Sequence, residues 1–241
     1  GLDGLVKGLD HVILNVERDH FQAAIAEWLC FTGFTIGDCF ENEAYQTCVL
    51  QAPDSADIVI RTRLQDANPF KAVNSAPKTA CLLNTRLETF VFETTDLKRY
   101  VDIQRAQGVA FLTTDIIETE HYLFIQTTPS VYTGNSIGLI QWMGDKGNCR
   151  TRKDRCLEVN LELPQVDFRN HIGLLDHAAT RVTAKNRDAA ILEFMTLTNY
   201  RFESAFYITE HNSITNVARL AGENFAMVFT SGIRPFVDIQ V

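Results

Sequence analysis

Two Asp-His pairs, Asp10-His11 and Asp176-His177, are the residues of this chain whose types and setting suggest chemistry, together with Arg181 beyond the second pair. Imidazole changes charge near neutral pH and is the commonest nitrogen ligand of metals, so a histidine can move a proton or bind an ion. A guanidinium takes a carboxylate through two parallel hydrogen bonds. The competing reading for each histidine is a plain hydrogen bond to a neighbour, and Asp10 and Asp176 can orient a strand or cap a turn without touching a metal. His20, His121, His171 and His211 show no ligand spacing.

Both pairs open the same kind of segment. LDHVILNV starts at Leu9 and LDHAATRV at Leu175, an offset of 166 residues. The offset continues without a gap through Ala23-Ala24-Ile25 against Ala189-Ala190-Ile191, and through Thr32-Gly33-Phe34 against Thr198-Asn199-Tyr200. Such self-similarity marks a duplicated module. In the first copy Val12, Leu14 and Val16 alternate with His11, Ile13 and Asn15, as in a strand with two different faces. Phe21, Ile25, Trp28 and Leu29 then recur at helical spacing, and Gly33 is placed to stop that helix. In the second copy Asn186 is the candidate cap ahead of Ile191, Phe194 and Met195. Three β-like runs follow each helix: FTIGDCF, YQTCVLQ and DIVIRTR in one, RFESAFYI, ITNVARL and FAMVFTS in the other.

A third unit of the same β-α-β-β-β order lies between them. ETFVFETT reads as its first strand, Asp96 as the helix cap and Gly108 as the helix end; VAFLTTDI, HYLFIQTT and SIGLIQWM supply its other strands. The fold class is α+β. The units are expected at about 8–64, 86–143 and 173–241, with Pro69 to Lys78 in the first connecting loop and a linker over 144–172 that holds a strand at Leu157 to Leu161.

Composition narrows the function classes. The chain has 241 residues, 46% hydrophobic and 22% charged, as in ordinary folded domains. A net charge of -8 argues against a nucleic-acid or anionic-membrane partner, and the basic stretch Lys146 to Arg155 reads as a solvated linker. No apolar run reaches bilayer length and no signal-peptide pattern opens the chain, so a cytoplasmic location is expected. The opening GLDGLVKG lacks a Met, as a processed start or a cloning remnant would. Six cysteines without a C-x-x-C pair are expected to be reduced thiols; Cys149 and Cys156 are the candidates for a disulfide or half a zinc site. Phe90, Phe92, Phe111 and Phe124 are expected in the core. Arg61 and Arg63 are either the lining of a mouth or exposed strand charges.

Units of β-α-β-β-β opened by LDHVILNV and LDHAATRV resemble the vicinal oxygen chelate superfamily, which includes glyoxalases, ring-cleaving dioxygenases and bleomycin-resistance proteins. The layout over Gly8 to Val241 most resembles the 4-hydroxyphenylpyruvate dioxygenase branch. The resemblance implies that the first two units pair into one curved half-barrel module over 8–143, and that the third opens a second module that is incomplete in this chain. It further implies Fe(II), or another divalent metal, held by one His from each of two opening strands and a Glu from a last strand. That triad leaves positions open for substrate and O2. Carried over, His11 meets Thr89 and Gln141 at the other two positions, so the first module is expected to hold no metal. In the second module His177 is the expected metal ligand. Arg181, on the same strand face, is the expected contact to a substrate carboxylate, with a surface or linker contact as the alternative.

The resemblance thus implies a non-haem Fe(II) dioxygenase-like protein acting on an aromatic or 2-oxo-acid small molecule. Its missing ligands would come from the rest of a longer enzyme or from a homodimer through the unpaired third unit. Two other functions fit the same residues. One is a metal-free protein that binds or sequesters a small aromatic ligand. The other is a glyoxalase- or isomerase-type metal enzyme whose site is completed across a dimer.

Overall fold

The computed structural model describes residues 2, 4–74, 77, 79–161 and 167–233. The first unit comprises β1 (Val6–Asn15), α1 (Phe21–Phe31), β2 (Thr35–Glu41), β3 (Tyr45–Gln51) and β4 (Asp57–Arg63). The second comprises β5 (Arg86–Thr94), α2 (Leu97–Ala106), the short β6 (Ile117–Glu118), β7 (Tyr122–Gln126) and β8 (Ser136–Trp142). A short β9 (Arg155–Cys156) leads to the third unit: β10 (His177–Arg181), α3 (Arg187–Leu197), β11 (Arg201–Ile208), β12 (Ser213–Arg219) and β13 (Ala226–Gly232). The fold is α+β with curved, open sheets.

Among the described residues the first two units share a nine-stranded sheet, β6-β7-β8-β5-β1-β4-β3-β2-β9, and the third forms its own sheet, β10-β13-β12-β11. Each unit pairs its first strand parallel to its last: β1 with β4, β5 with β8, β10 with β13. The two opening strands β1 and β5 run antiparallel at the centre of the large sheet, with Val12 opposite Phe90, His11 opposite Val91 and Ile13 opposite Thr89. That register is a pseudo-two-fold: exchanging the strands carries His11 onto Thr89 and Ile13 onto Val91.

Alternation on β1 separates two environments. Val12 and Val16 pack with Phe21, Ile25 and Leu29 of α1, while Ile13 joins Phe40, Val49, Val59, Val91 and Ile140 on the concave face. The helix-side core runs on into the third unit, where Phe92 stacks against Phe194 at 5.7 Å and Tyr200 at 5.3 Å. Polar contacts reinforce the seam. The Tyr100 hydroxyl donates to the Leu197 carbonyl at 2.8 Å, Gln104 Nε2 to the Thr196 carbonyl at 3.0 Å, and the Val6 amide to Asn199 Oδ1 at 2.8 Å.

Several local expectations change. α1 ends at Thr32, whose extended backbone and hydroxyl bond to the Trp28 carbonyl stop the helix before Gly33. Asn186 stands at the N-cap of α3 but makes no side-chain capping bond, whereas Asp96 accepts from the Arg99 amide and caps α2. Gly108 closes α2 at φ 84°, a conformation that favours glycine. VAFLTTDI is an isolated bridge, Phe111 to Thr127, followed by β6, not a full strand. The linker strand is Arg155–Cys156 pairing with β2, not Leu157 to Leu161. Residues 75, 76 and 78 of the first loop, 162–166 of the linker, 234–241 of the third unit, and 1 and 3 of the opening lie outside the described residues. Among the described residues no helix is long and apolar enough to cross a membrane.

Candidate functional site

The two Asp-His pairs repeat in geometry as well as in sequence. His11 Nδ1 lies 2.6 Å from Asp10 Oδ1, and His177 Nδ1 lies 2.8 Å from Asp176 Oδ2, which leaves Nε2 of each ring for another partner. Their settings differ: the His11 side chain is 8% exposed and that of His177 55%.

Asp10 is positioned by a bulge. The β1–β5 register slips between Leu9 and His11, leaving Asp10 as the extra residue on β1, and slips again so that Glu88 is the extra residue on β5. The two acids are two-fold mates, and each is held by the last residue of the other unit's last strand. Asp10 accepts from Trp142 Nε1 at 2.9 Å, with Lys146 at 3.3 Å; Glu88 accepts two bonds from Arg63, at 2.7 and 2.8 Å. Arg63 is therefore a buried structural clamp, not a mouth residue.

The metal positions of the first module do not carry a ligand set. Thr89, the mate of His11, donates its hydroxyl to Gln126 Oε1 at 2.9 Å. On β8 the concave position belongs to Ile140. Gln141 faces the helices, where its Oε1 accepts the Leu97 amide at 2.8 Å at the start of α2; one step along a strand changes the face. An imidazole, an engaged hydroxyl and an alkyl group do not fit a divalent cation. No group of three His, Cys, Asp or Glu suited to a metal occurs among the described residues.

What the concave face does enclose is a cavity of about 680 Å³. Phe40, Tyr122, Phe124 and Ile140 supply apolar wall, and His11 and Arg61 supply polar atoms. Arg61 lies over the Tyr45 ring, 4.1 Å from its centroid, and 3.7 Å from Glu88. Cys149 lines the cavity at the His11 end, and on either side of it in sequence Lys146 pairs with Asp10 at 3.3 Å and Arg150 with Asp38 at 3.2 Å. The electrostatics of that end are uneven. Burial pushes the Asp10 carboxyl up, but hydrogen bonds from His11 and Trp142 and the charges of His11 and Lys146 together hold it below its ordinary range. Asp57, opposite His11 in register, is driven the other way by burial, against the pull of Gln51. Burial, with Asp10, Asp57 and Asp38 nearby, pushes the Cys149 thiol up to about 12. All six cysteines are free thiols.

In the third unit His177, Ala179 and Arg181 share the exposed face of β10 and border a crevice of about 480 Å³ against the first module. β10 is an edge strand: β13 lies on one side and, among the described residues, no strand on the other. In the first module the equivalent edge of β1 is covered by β5. The concave side of this sheet also exposes Phe206 and Ile208. β13 reads AMVFTSG and offers no carboxylate. Among the described residues, His177 is thus one imidazole without the second imidazole and carboxylate of a metal triad. Tyr45, Tyr122 and Cys149 were not expected as lining. The acid mates Asp10-His11 and Glu88-Thr89 share a 78-residue offset that a search between the first two units reaches.

No protein-family model and no curated protein sequence matches the chain. Solved structures do. A triple mutant of 4-hydroxymandelate synthase from Streptomyces coelicolor superposes with a TM-score of 0.63 at 13% identity, over 95% of this chain and 63% of that one. Methylmalonyl-CoA epimerases from Mycobacterium tuberculosis (TM-score 0.47, 20% identity, 57% of this chain and 89% of that one) and Streptomyces coelicolor (0.44, 13%, 58% and 99%) align less well. The chain therefore spans 63% of the length of the 4-hydroxymandelate synthase structure. From its paired β-α-β-β-β units to its second sheet, this chain shares the fold of the 4-hydroxymandelate synthase structure.

Proposed function

We propose that the chain belongs to a metal-dependent dioxygenase-type protein acting on an aromatic or 2-oxo-acid small molecule. In this reading His177 supplies one metal-binding imidazole and Arg181 meets a substrate carboxylate. A further β-α-β-β-β unit adds to the open edge of β10 and brings the other ligands. The observation that carries the reading is the edge itself: among the described residues β10 presents His177 on a strand with one open side where its counterpart β1 is paired, and an open edge backed by apolar surface invites a partner. The match in layout to a structure of which the chain spans 63% supports it.

The chemistry of β13 favours one source for the missing unit. A second copy docked β10 to β10, as β1 docks to β5, would bring a second His177 to the place that Thr89 holds. It would bring no last-strand carboxylate, because β13 has none. A unit of different sequence is needed to complete two imidazoles and one carboxylate.

The test is anaerobic Fe(II) and Co(II) titration of the product of the complete reading frame, beside His177→Ala. The expected result is one tightly bound ion per completed module, lost in His177→Ala. Failure of the full product to take up metal, or uptake that survives the substitution, would overturn the proposal.

A further inference from the structure

The concave cavity of the first module is not used by the function proposed above, yet it carries a positioned cation whose Nε finds no hydrogen-bond partner among the described residues. Arg61 is largely buried, with its side chain 15% exposed, and is held over the Tyr45 ring. Its Nε has no hydrogen-bond partner, and its approach to Glu88, 3.7 Å, is longer than a hydrogen bond. Glu88 is already committed to Arg63 through two bonds. Two guanidiniums and one carboxylate therefore leave one positive charge at the cavity wall. Buried guanidiniums are stabilised by a planar acceptor that answers their fork of donors.

The rest of the cavity defines what could carry that acceptor. Phe40, Tyr122 and Phe124 offer ring faces and edges, Ile13, Val59 and Ile140 offer aliphatic surface, and about 680 Å³ lies within the range of small-molecule sites. Two acids, Glu43 and Asp154, line the rim together with the cation Lys153, and Asp154 is engaged by the Thr151 amide at 2.6 Å and Asn42 Nδ2 at 2.9 Å. In register Arg61 stands opposite Asn15, four residues beyond His11, so roughly 13 Å of strand separates the two polar ends of the cavity. A ring with a short side chain ending in a carboxylate spans part of that length with its ring between the aromatic walls.

We propose that the first module is a second, metal-independent binding site, selective for small aryl carboxylates, with Arg61 as the carboxylate anchor. The site lies on the opposite face of β1 from the His177 crevice and needs no further unit, so it stands or falls apart from the dioxygenase-type reading.

The test uses calorimetric titration of the purified chain with 3-phenylpropionate, 3-phenylpropanol and propionate. Phenylpropionate is expected to bind with a Kd below about 1 mM, the uncharged alcohol at least about tenfold more weakly, and propionate not measurably, since both the ring and the charge contribute. Arg61→Gln should weaken phenylpropionate binding by about tenfold or more, while His177→Ala leaves it unchanged. Should Arg61→Gln fail to fold by circular dichroism, Thr47→Phe, which fills the cavity opposite Arg61 and keeps the guanidinium, replaces it and should abolish binding. Equal affinity for acid and alcohol, binding undiminished in the folded variant, or no binding of phenylpropionate overturns the proposal.

Discussion

Arg63, the last residue of β4, holds Glu88 of β5 through two parallel hydrogen bonds of 2.7 and 2.8 Å, with the two side chains 5% and 0% exposed. The pair joins the first two β-α-β-β-β units, as do the β1–β5 ladder, the core and the bond from Trp142 to Asp10. Removing one partner leaves the other buried and uncompensated, so Glu88→Gln is expected to cost about 3–5 kcal/mol in urea unfolding. The double change Arg63→Met with Glu88→Leu should cost less than the two single changes added together. A Glu88→Gln loss under about 0.5 kcal/mol would show that the clamp does not hold the module together.

Asp10 gives the fold a defined acid sensitivity. Its folded carboxyl lies below the ordinary value of 3.8, so its contribution is complete above that pH and is lost as the pH falls through the lowered folded value. Asp10→Asn is expected to lower stability at pH 7 by about 1–3 kcal/mol, the worth of charge-assisted hydrogen bonds. The gap to the parent should narrow as the pH drops below 3.8. Urea midpoints of both proteins at pH 7 and pH 3 measure it, and a gap that stays constant contradicts the assignment.

Asp57 should behave in the opposite sense. Burial raises its folded carboxyl, so ionisation at neutral pH works against the folded state and Asp57→Asn should raise the thermal midpoint at pH 7. The benefit should shrink toward acid pH, where the parent carboxyl is protonated. A lower midpoint at pH 7 would mean that the Gln51 bond, 3.0 Å, outweighs the burial.

Because Phe92 packs on Phe194 and Tyr200, the two sheets are expected to unfold in one transition. Phe92→Ala should cost about 3–5 kcal/mol and accelerate amide exchange in β1–β8 and β10–β13 alike. Two separate calorimetric transitions in the parent protein would sink this expectation.

Thiol labelling at pH 8 should follow exposure and local charge. Exposed Cys81 and Cys156 are expected to react first, and buried Cys39 and Cys48 not at all before unfolding. Cys149, pushed up to about 12, should lag behind Cys156. Mass spectrometry of maleimide adducts over time reads the order, and equal rates at Cys149 and Cys156 would place Cys149 outside the acidic cluster.

The unit order was legible because hydrophobic alternation and helical spacing are local signals. RFESAFYI, YQTCVLQ and DIVIRTR coincide with β11, β3 and β4. The equivalence of His11 and Thr89 was also legible, and the β1–β5 register reproduces it. Gln141 was placed on the wrong face because period-two alternation needs one fixed reference, and SIGLIQW is apolar on both sides. The roles of Asp10 and Glu88 were hidden because a bulge is a property of two paired strands and neither strand alone displays it. Arg61 and Arg63 looked alike in DIVIRTR; only the position of Glu88 across the sheet separates the clamp from the cavity cation.

The crossed holding of Asp10 by Trp142 and Glu88 by Arg63 bears on how the duplicated halves can change. Each half's acid takes a hydrogen bond from the other half, so a change at Trp142 or Arg63 is felt at an acid 132 or 25 residues away along the chain. A neutral indole and a charged guanidinium thus meet equivalent demands on the two sides of the pseudo-two-fold, and a half set beside a foreign mate would lose that donor.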